Sequence, residues 1–167
     1  MSIRTFLRAR VLVDQPLELR ELELSKLLLL RSSNVEQTIG TVEFLRHVQP
    51  DCQIHLLGQA EFSGSFKVDQ QFIYPFAGGF LLNEATREFF EELAAQNYPL
   101  VLLMYNNRAR QGYAQAEQCA LVLGASLTAG IFADYAVIKI TPAIQRQRRL
   151  AAQINEQISK RLKNACN

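Results

Sequence analysis

The stretch "LLLLRSSNVEQTIGTVEFLRHVQP", Leu27–Pro50, decides the reading of this chain. Four consecutive leucines suit a short strand buried on both faces, because a helix-covered parallel strand shows no polar alternation. Arg31 ends the run. Ser32, Ser33 and Asn34 follow, small side chains that cap helices and form turns. Then Ile39, Val42 and Leu45 recur at helical spacing until Pro50 and Asp51 stop the pattern. Strand, polar turn, helix is the opening of a βαβ unit.

The same rhythm continues downstream. "QIHLLG", Gln53–Gly58, reads as a second strand, and "QFIYP", Gln71–Pro75, as a brief third. "FAGGFLLN" turns the chain on Gly78 and Gly79, with Asn83 as N-cap of a helix whose inner side is expected to carry Ala85, Phe89 and Leu93. "YPLVLLMY", Tyr98–Tyr105, is the clearest strand. After "NNRARQG" comes a helix with Tyr113, Ala116, Ala120 and Leu123 on one stripe and Gly124 at its end. "AGIFADYAVIKI" supplies one or two more short strands. A long final helix starts at Pro142, with Ile144, Ala151, Ile154, Ile158 and Leu162 on its apolar side.

Strands alternating with helices predict an α/β fold with a mostly parallel sheet flanked by helices. The expected layout is one domain: an N-terminal extension over residues 1–24, an α/β core over 25–141, and a basic amphipathic helix over 142–165. "LELRELEL", Leu17–Leu24, fits either a strand with a break in phase or a short piece of helix.

Composition narrows the function classes. The chain has 167 residues, 49% hydrophobic and 20% charged, which suits a globular domain with a real core. Its net charge of +2 makes no case for nucleic acid, but the charge is uneven. Residues 142–167 carry six basic side chains against Glu156, leaving that segment at +5 and the rest at −3. No apolar run reaches the length of a membrane span, and no signal peptide is read at the start. Cys52, Cys119 and Cys166 lack metal-ligand spacing, and His47 and His55 form no metal motif. A reduced, cytoplasmic setting is expected, with no cofactor and no metal.

In an open parallel sheet, ligands collect beyond the carboxyl ends of the strands where the connections change direction. Two loops qualify, "RSSNVEQ" and "NNRARQG". If their strands are neighbours, Ser32, Ser33, Asn34 and Gln37 face Asn106, Asn107 and Arg108 across a crevice. The first loop also precedes a helix N-terminus, whose unpaired N–H groups favour a phosphate, and Arg108 or Arg110 would add charged donors. Each feature has a plain structural reading beside the functional one. Ser and Asn cap helices for local reasons, Asn106–Asn107 suits a turn, and Glu36 is an ordinary first-turn carboxylate as well as a candidate base. No GxGxxG or P-loop pattern is present.

"KLLLLRSSNVEQTIGTVEFLRHVQPDCQIHLLG", Lys26–Gly58, resembles the N-terminal, acceptor-side half of the ADP-heptose–lipopolysaccharide heptosyltransferase family of glycosyltransferases. Arg31, Ser32–Ser33, Leu45–Arg46, Pro50 and Ile54–Leu57 fit that family's order of motifs. "FFEELAAQNYPLVLLMYNN", Phe89–Asn107, is similar to a second family block, with Tyr98–Pro99 standing for its Tyr-Asp. "LVLGASLTAGI", Leu121–Ile131, is similar to the segment closing the half-domain. The resemblance spans about residues 25–132 and implies a Rossmann-like domain.

It also carries two departures. The family's Gly-Asp pair, whose Asp acts as base, falls here on Glu36–Gln37, and the family's C-terminal donor domain has no counterpart. The resemblance therefore implies a half-domain without independent activity, binding a phosphosugar or sugar nucleotide through Ser32, Ser33, Asn34, Gln37, Asn106, Asn107 and Arg108. Two alternatives stand beside it. One is a glycosyltransferase subunit using Glu36 as base and completed in trans by a donor domain, and the other a flavodoxin-like flavin or nucleotide binder using Ser32–Asn34. The basic side chains of the final helix fit a solvated face first, and otherwise an acidic partner, an anionic membrane or nucleic acid. Its apolar stripe is compatible with a protein partner or a homodimer.

Overall fold

The computed structural model describes residues 14–59 and 66–165. The first part of the expected N-terminal extension and residues 60–65 lie outside them. Six strands form one sheet: β1 Lys26–Leu30, β2 Gln53–Gln59, β3 Gln70–Tyr74, β4 Leu100–Tyr105, β5 Leu127–Phe132 and β6 Val137–Lys139. Four helices connect or follow them: α1 Val35–Val48, α2 Glu84–Ala94, α3 Ala114–Val122 and α4 Pro142–Ala165. The strand order is β3-β2-β1-β4-β5-β6, parallel throughout except for β6, which pairs antiparallel to β5. The α/β, mostly parallel architecture expected from the sequence is therefore the observed one.

The leucine run explains why the sheet is covered on both faces. Leu27 and Leu29 point to the α1 side, with Leu56, Leu102 and Met104, whereas Leu28 and Leu30 point to the α2–α3 side, with Leu57, Val101 and Leu103. All of these are fully buried. At about 1.5–3 kcal/mol for each buried aliphatic side chain, β1 and β4 dominate the stability of the core.

The described part of the N-terminal segment first meets the sheet at the β6 edge and then covers its α1 side. Pro16 bridges Ile138 of β6, Leu17 N donates to Val137 O at 3.0 Å, and Lys139 N donates to Gln15 O at 2.9 Å. A single 3-10 turn, Leu19–Glu21, then tucks Leu19 into the α1-side core.

Helix faces differ from the spacing-based expectation in phase. On α1 the buried positions are Thr38, Thr41, Val42, Leu45 and Val48, and Ile39 is exposed. On α2 they are Thr86, Phe90 and Leu93, while Ala85 is exposed and Phe89 only half-buried. The capping box is the cause on α2. Asn83 Oδ1 accepts from Thr86 N at 3.1 Å and Thr86 Oγ1 accepts from Asn83 N at 3.0 Å, which turns Thr86 inward and sets the phase. Gly124 follows α3 at φ +65°, the left-handed conformation that a helix-ending glycine supplies.

The final helix departs most. Ile144 is buried, but Leu150, Ile154 and Ile158 are more than half exposed, so the sheet does not cover the apolar side of α4. Leu162 lies outside the described side chains. Among the described residues no helix is long and apolar enough to cross a membrane.

Candidate functional site

From β1 the chain passes to α1 on one face of the sheet, and from the adjacent β4 it passes to α3 on the other. The loops after these strands part at their carboxyl ends and open a crevice of about 690 Å³. Four hydrogen bonds fix its walls. Ser32 Oγ donates to Met104 O, and Gln37 Nε2 donates to Tyr105 O at 2.9 Å. The Tyr113 hydroxyl donates to Ser32 O at 3.2 Å and accepts from Asn106 N at 3.0 Å. One phenol thus ties both loops together.

Carboxamides and hydroxyls dominate the lining. Ser32, Ser33 and Asn34 form one wall and Asn106, Asn107 and Gln111 the other. Gln59, Gly78, Gly79 and Phe80 close a third side, from the ends of β2 and β3. Asn34 caps α1, its Oδ1 accepting from Gln37 N at 2.8 Å. Asn107 braces its own turn, with Oδ1 accepting from Gln111 N at 3.0 Å. Gly112 adopts φ +82°, which lets the chain turn sharply into Tyr113 and α3.

Arg31 is the charged member of the described lining, and it is only 4% exposed. Its Nε donates to Thr38 Oγ1 at 3.1 Å, and its guanidinium stands 5.4 Å from the centre of the Phe66 ring. Burial draws its pKa below the ordinary arginine value. An arginine lowered in this way is still charged at neutral pH. A buried cation therefore stands behind the crevice wall, next to the N-terminus of α1.

The sequence-based candidates separate into two groups. Ser32, Ser33, Asn34, Asn106 and Asn107 line the crevice together. Gln37, Glu36 and Arg108 do not. The Gln37 amide is committed to the Tyr105 carbonyl, and Glu36 is exposed on the first turn of α1. Arg108 lies against Phe132, 4.5 Å from its ring centre, and pairs with Asp134 beside a smaller hollow of about 200 Å³. Arg110 is buried rather than solvated, with φ +55° and Nη2 donating to Asp14 Oδ1 at 2.7 Å.

Gln59, Phe80, Gln111 and Tyr113 were not legible as site residues. Tyr113 showed only as part of a helical stripe. The Gly78–Gly79 pair was the one signal available for the third wall.

Beneath the crevice lies a buried polar network. Tyr105 donates to Glu117 Oε1 at 2.7 Å, and Arg148 of α4 reaches the same carboxylate oxygen. Arg148 Nη2 also donates to Arg110 O at 2.9 Å, and Gln145 Nε2 to Ala114 O at 3.1 Å. The phenol of Tyr105 titrates far above its usual range, first because it is buried and then because Glu117 is beside it. The first two turns of α4 thereby brace the loop that forms the second wall. Cys52 and Cys119 are buried free thiols pushed up by burial, to about 11 and about 12, which makes them core residues and not nucleophiles.

No protein-family model matches the chain, and no curated protein matches it. A solved structure described as a glycosyl transferase family 9 from Veillonella parvula DSM 2008 is similar over 67% of this chain at 16% identity, with a TM-score of 0.47. The chain spans 33% of the length of that structure.

Proposed function

We propose that this chain is a glycosyltransferase-like half-domain that binds a phosphorylated sugar in the β1–β4 crevice and performs no transfer by itself. One observation carries the reading: a buried guanidinium, Arg31, shares a roughly 690 Å³ crevice with carboxamides and hydroxyls. Sugar hydroxyls both donate and accept, and the side chains of Gln59, Asn106 and Gln111 can do the same. The Arg31 charge and the amino end of α1 favour the phosphate. Phe80 and Tyr113 offer ring surface to the C–H faces of a sugar.

The positions that would supply a base support the second half of the proposal. Gln37, where the resemblance places the family's Asp, carries no titratable proton, and its amide is held by Tyr105 O. Glu36 is exposed and outside the lining, so nothing in the crevice orients it as a base.

The test is a thermal-shift and turnover panel with glucose 6-phosphate, ADP-glucose and FMN on the full chain. A ligand that binds only the folded state raises stability by about 2.7 kcal/mol at a hundredfold excess over Kd. The proposal expects a shift with the sugar phosphate, reduced in Arg31→Leu, and neither hydrolysis nor transfer. Turnover of ADP-glucose that disappears in Glu36→Ala would establish instead a transferase subunit. A shift with FMN alone would establish a flavin binder.

A further inference from the structure

The apolar side of α4 points away from the domain to which the helix is attached. Ile144, Gln145 and Arg148 dock on α3 and the loop before it, and at about 100° per residue they occupy one side of the helix. Leu150, Ile154 and Ile158 follow at one-turn spacing on a different side, and they are 58%, 55% and 51% exposed. Rotating the helix to bury this row would pull Arg148 off the buried Glu117. The domain therefore cannot cover the row without breaking its own anchor.

The charge around the row selects what covers it. Arg146, Arg149, Lys160 and Arg161 are all exposed on the same helix, against Glu156 alone, which pairs with Lys160 at 2.7 Å. By the same helical geometry, Arg146 and Arg161 stand next to the aliphatic row. A second copy of α4 laid on this face would bring like charges together. A rigid protein partner would have little to register on, since the row is a line of separate aliphatic tips with no aromatic anchor among them. A fluid anionic surface needs no such registry. Long basic side chains flanking a shallow aliphatic row can extend to headgroups while the aliphatic tips enter the interface.

We infer that α4 adsorbs to anionic membrane surfaces, with Leu150, Ile154 and Ile158 inserted at the headgroup level and Arg146 and Arg161 on the acidic lipids. The inference is independent of what the crevice binds. The helix lies on the bilayer and does not span it.

Co-sedimentation of the full chain with phosphatidylcholine vesicles, with and without phosphatidylglycerol, tests this. Binding to the anionic vesicles is expected to be at least tenfold tighter and to weaken with added salt. The charge variant Arg146→Gln/Arg161→Gln is expected to lose about fivefold per charge removed. Ile154→Ser/Ile158→Ser is expected to lose about tenfold. Circular dichroism checks that the aliphatic variant keeps its helix, and if it does not, the charge variant still decides. Equal or absent binding to the two vesicle types overturns the inference. So does a concentration-dependent dimer in light scattering that the aliphatic variant abolishes, which would assign the row to a second copy.

Discussion

The two rims of the sheet both bury polar side chains, and they do so in opposite ways. At the amino ends of the strands, His55 and Tyr98 satisfy each other: Nδ1 lies 2.8 Å from the phenol oxygen, the rings meet edge to face, and both residues are buried. Nearby, Asp69 accepts from Ile54 N and from Arg46 at 2.7 Å each. At the carboxyl ends, Asn106 and Gln111 are exposed and face open space, with the buried Arg31 behind them. Polar groups that close on one another hold a fold together. Polar groups arranged around an open crevice are left to water, and so are available to a ligand that replaces it. A ligand is therefore expected at the carboxyl rim and not at the amino rim, and four substitutions or conditions probe the contrast.

The largest effect is expected beneath the crevice. A Cβ on Gly130 would lie 1.9 Å from Cε2 of Tyr105, whose hydroxyl is held by Glu117. The ring cannot swing away without breaking that bond, so Gly130→Ala should cost about 3 kcal/mol in urea unfolding. Next comes Glu117→Gln, which leaves the partly buried Arg148 without its counter-charge. A loss of about 2 kcal/mol is expected, together with easier proteolysis of α4.

The amino rim should show itself through pH. The His55 pKa is lowered below 6.5, first by burial and then by the nearby Lys26 charge, with Asp69 acting weakly in the opposite sense. A lowered folded pKa means that the unfolded chain takes up the proton first. Stability present above pH 6.5 is therefore lost as pH falls toward the folded value. Urea midpoints at pH 7.5 and pH 5.5 should differ in wild type, and the difference should shrink in His55→Gln. The smallest effect belongs to Glu36→Gln, which should leave stability within about 0.5 kcal/mol and ligand affinity unchanged, because that side chain is exposed and outside the crevice.

Much of this architecture was legible from the leucine runs. A strand without polar alternation must be covered twice, which pointed to a parallel sheet; the pairing of β1 with β4 was a condition of the reading that only the structure supplies. Ser32–Asn34 and Asn106–Asn107 were legible as crevice residues because strand ends lead into loops in a known direction. Long-range pairing was not legible. Arg108 is drawn out of the crevice by Phe132, the last residue of the next strand, and by Asp134 just after it. Arg110 is buried by Asp14, from the far end of the chain. The phase of α2 followed its cap and not its apolar spacing, and nothing in the periodicity of α4 said that its apolar row would face away from the sheet.

The most direct measurement is backbone amide NMR of the isotopically labelled chain titrated with glucose 6-phosphate. The crevice reading expects shifts confined to residues 31–34, 59, 78–80, 106–107 and 111–113, saturating together and weakened by Arg31→Leu. A saturable set of shifts clustered elsewhere, or no shifts at millimolar ligand, would contradict it.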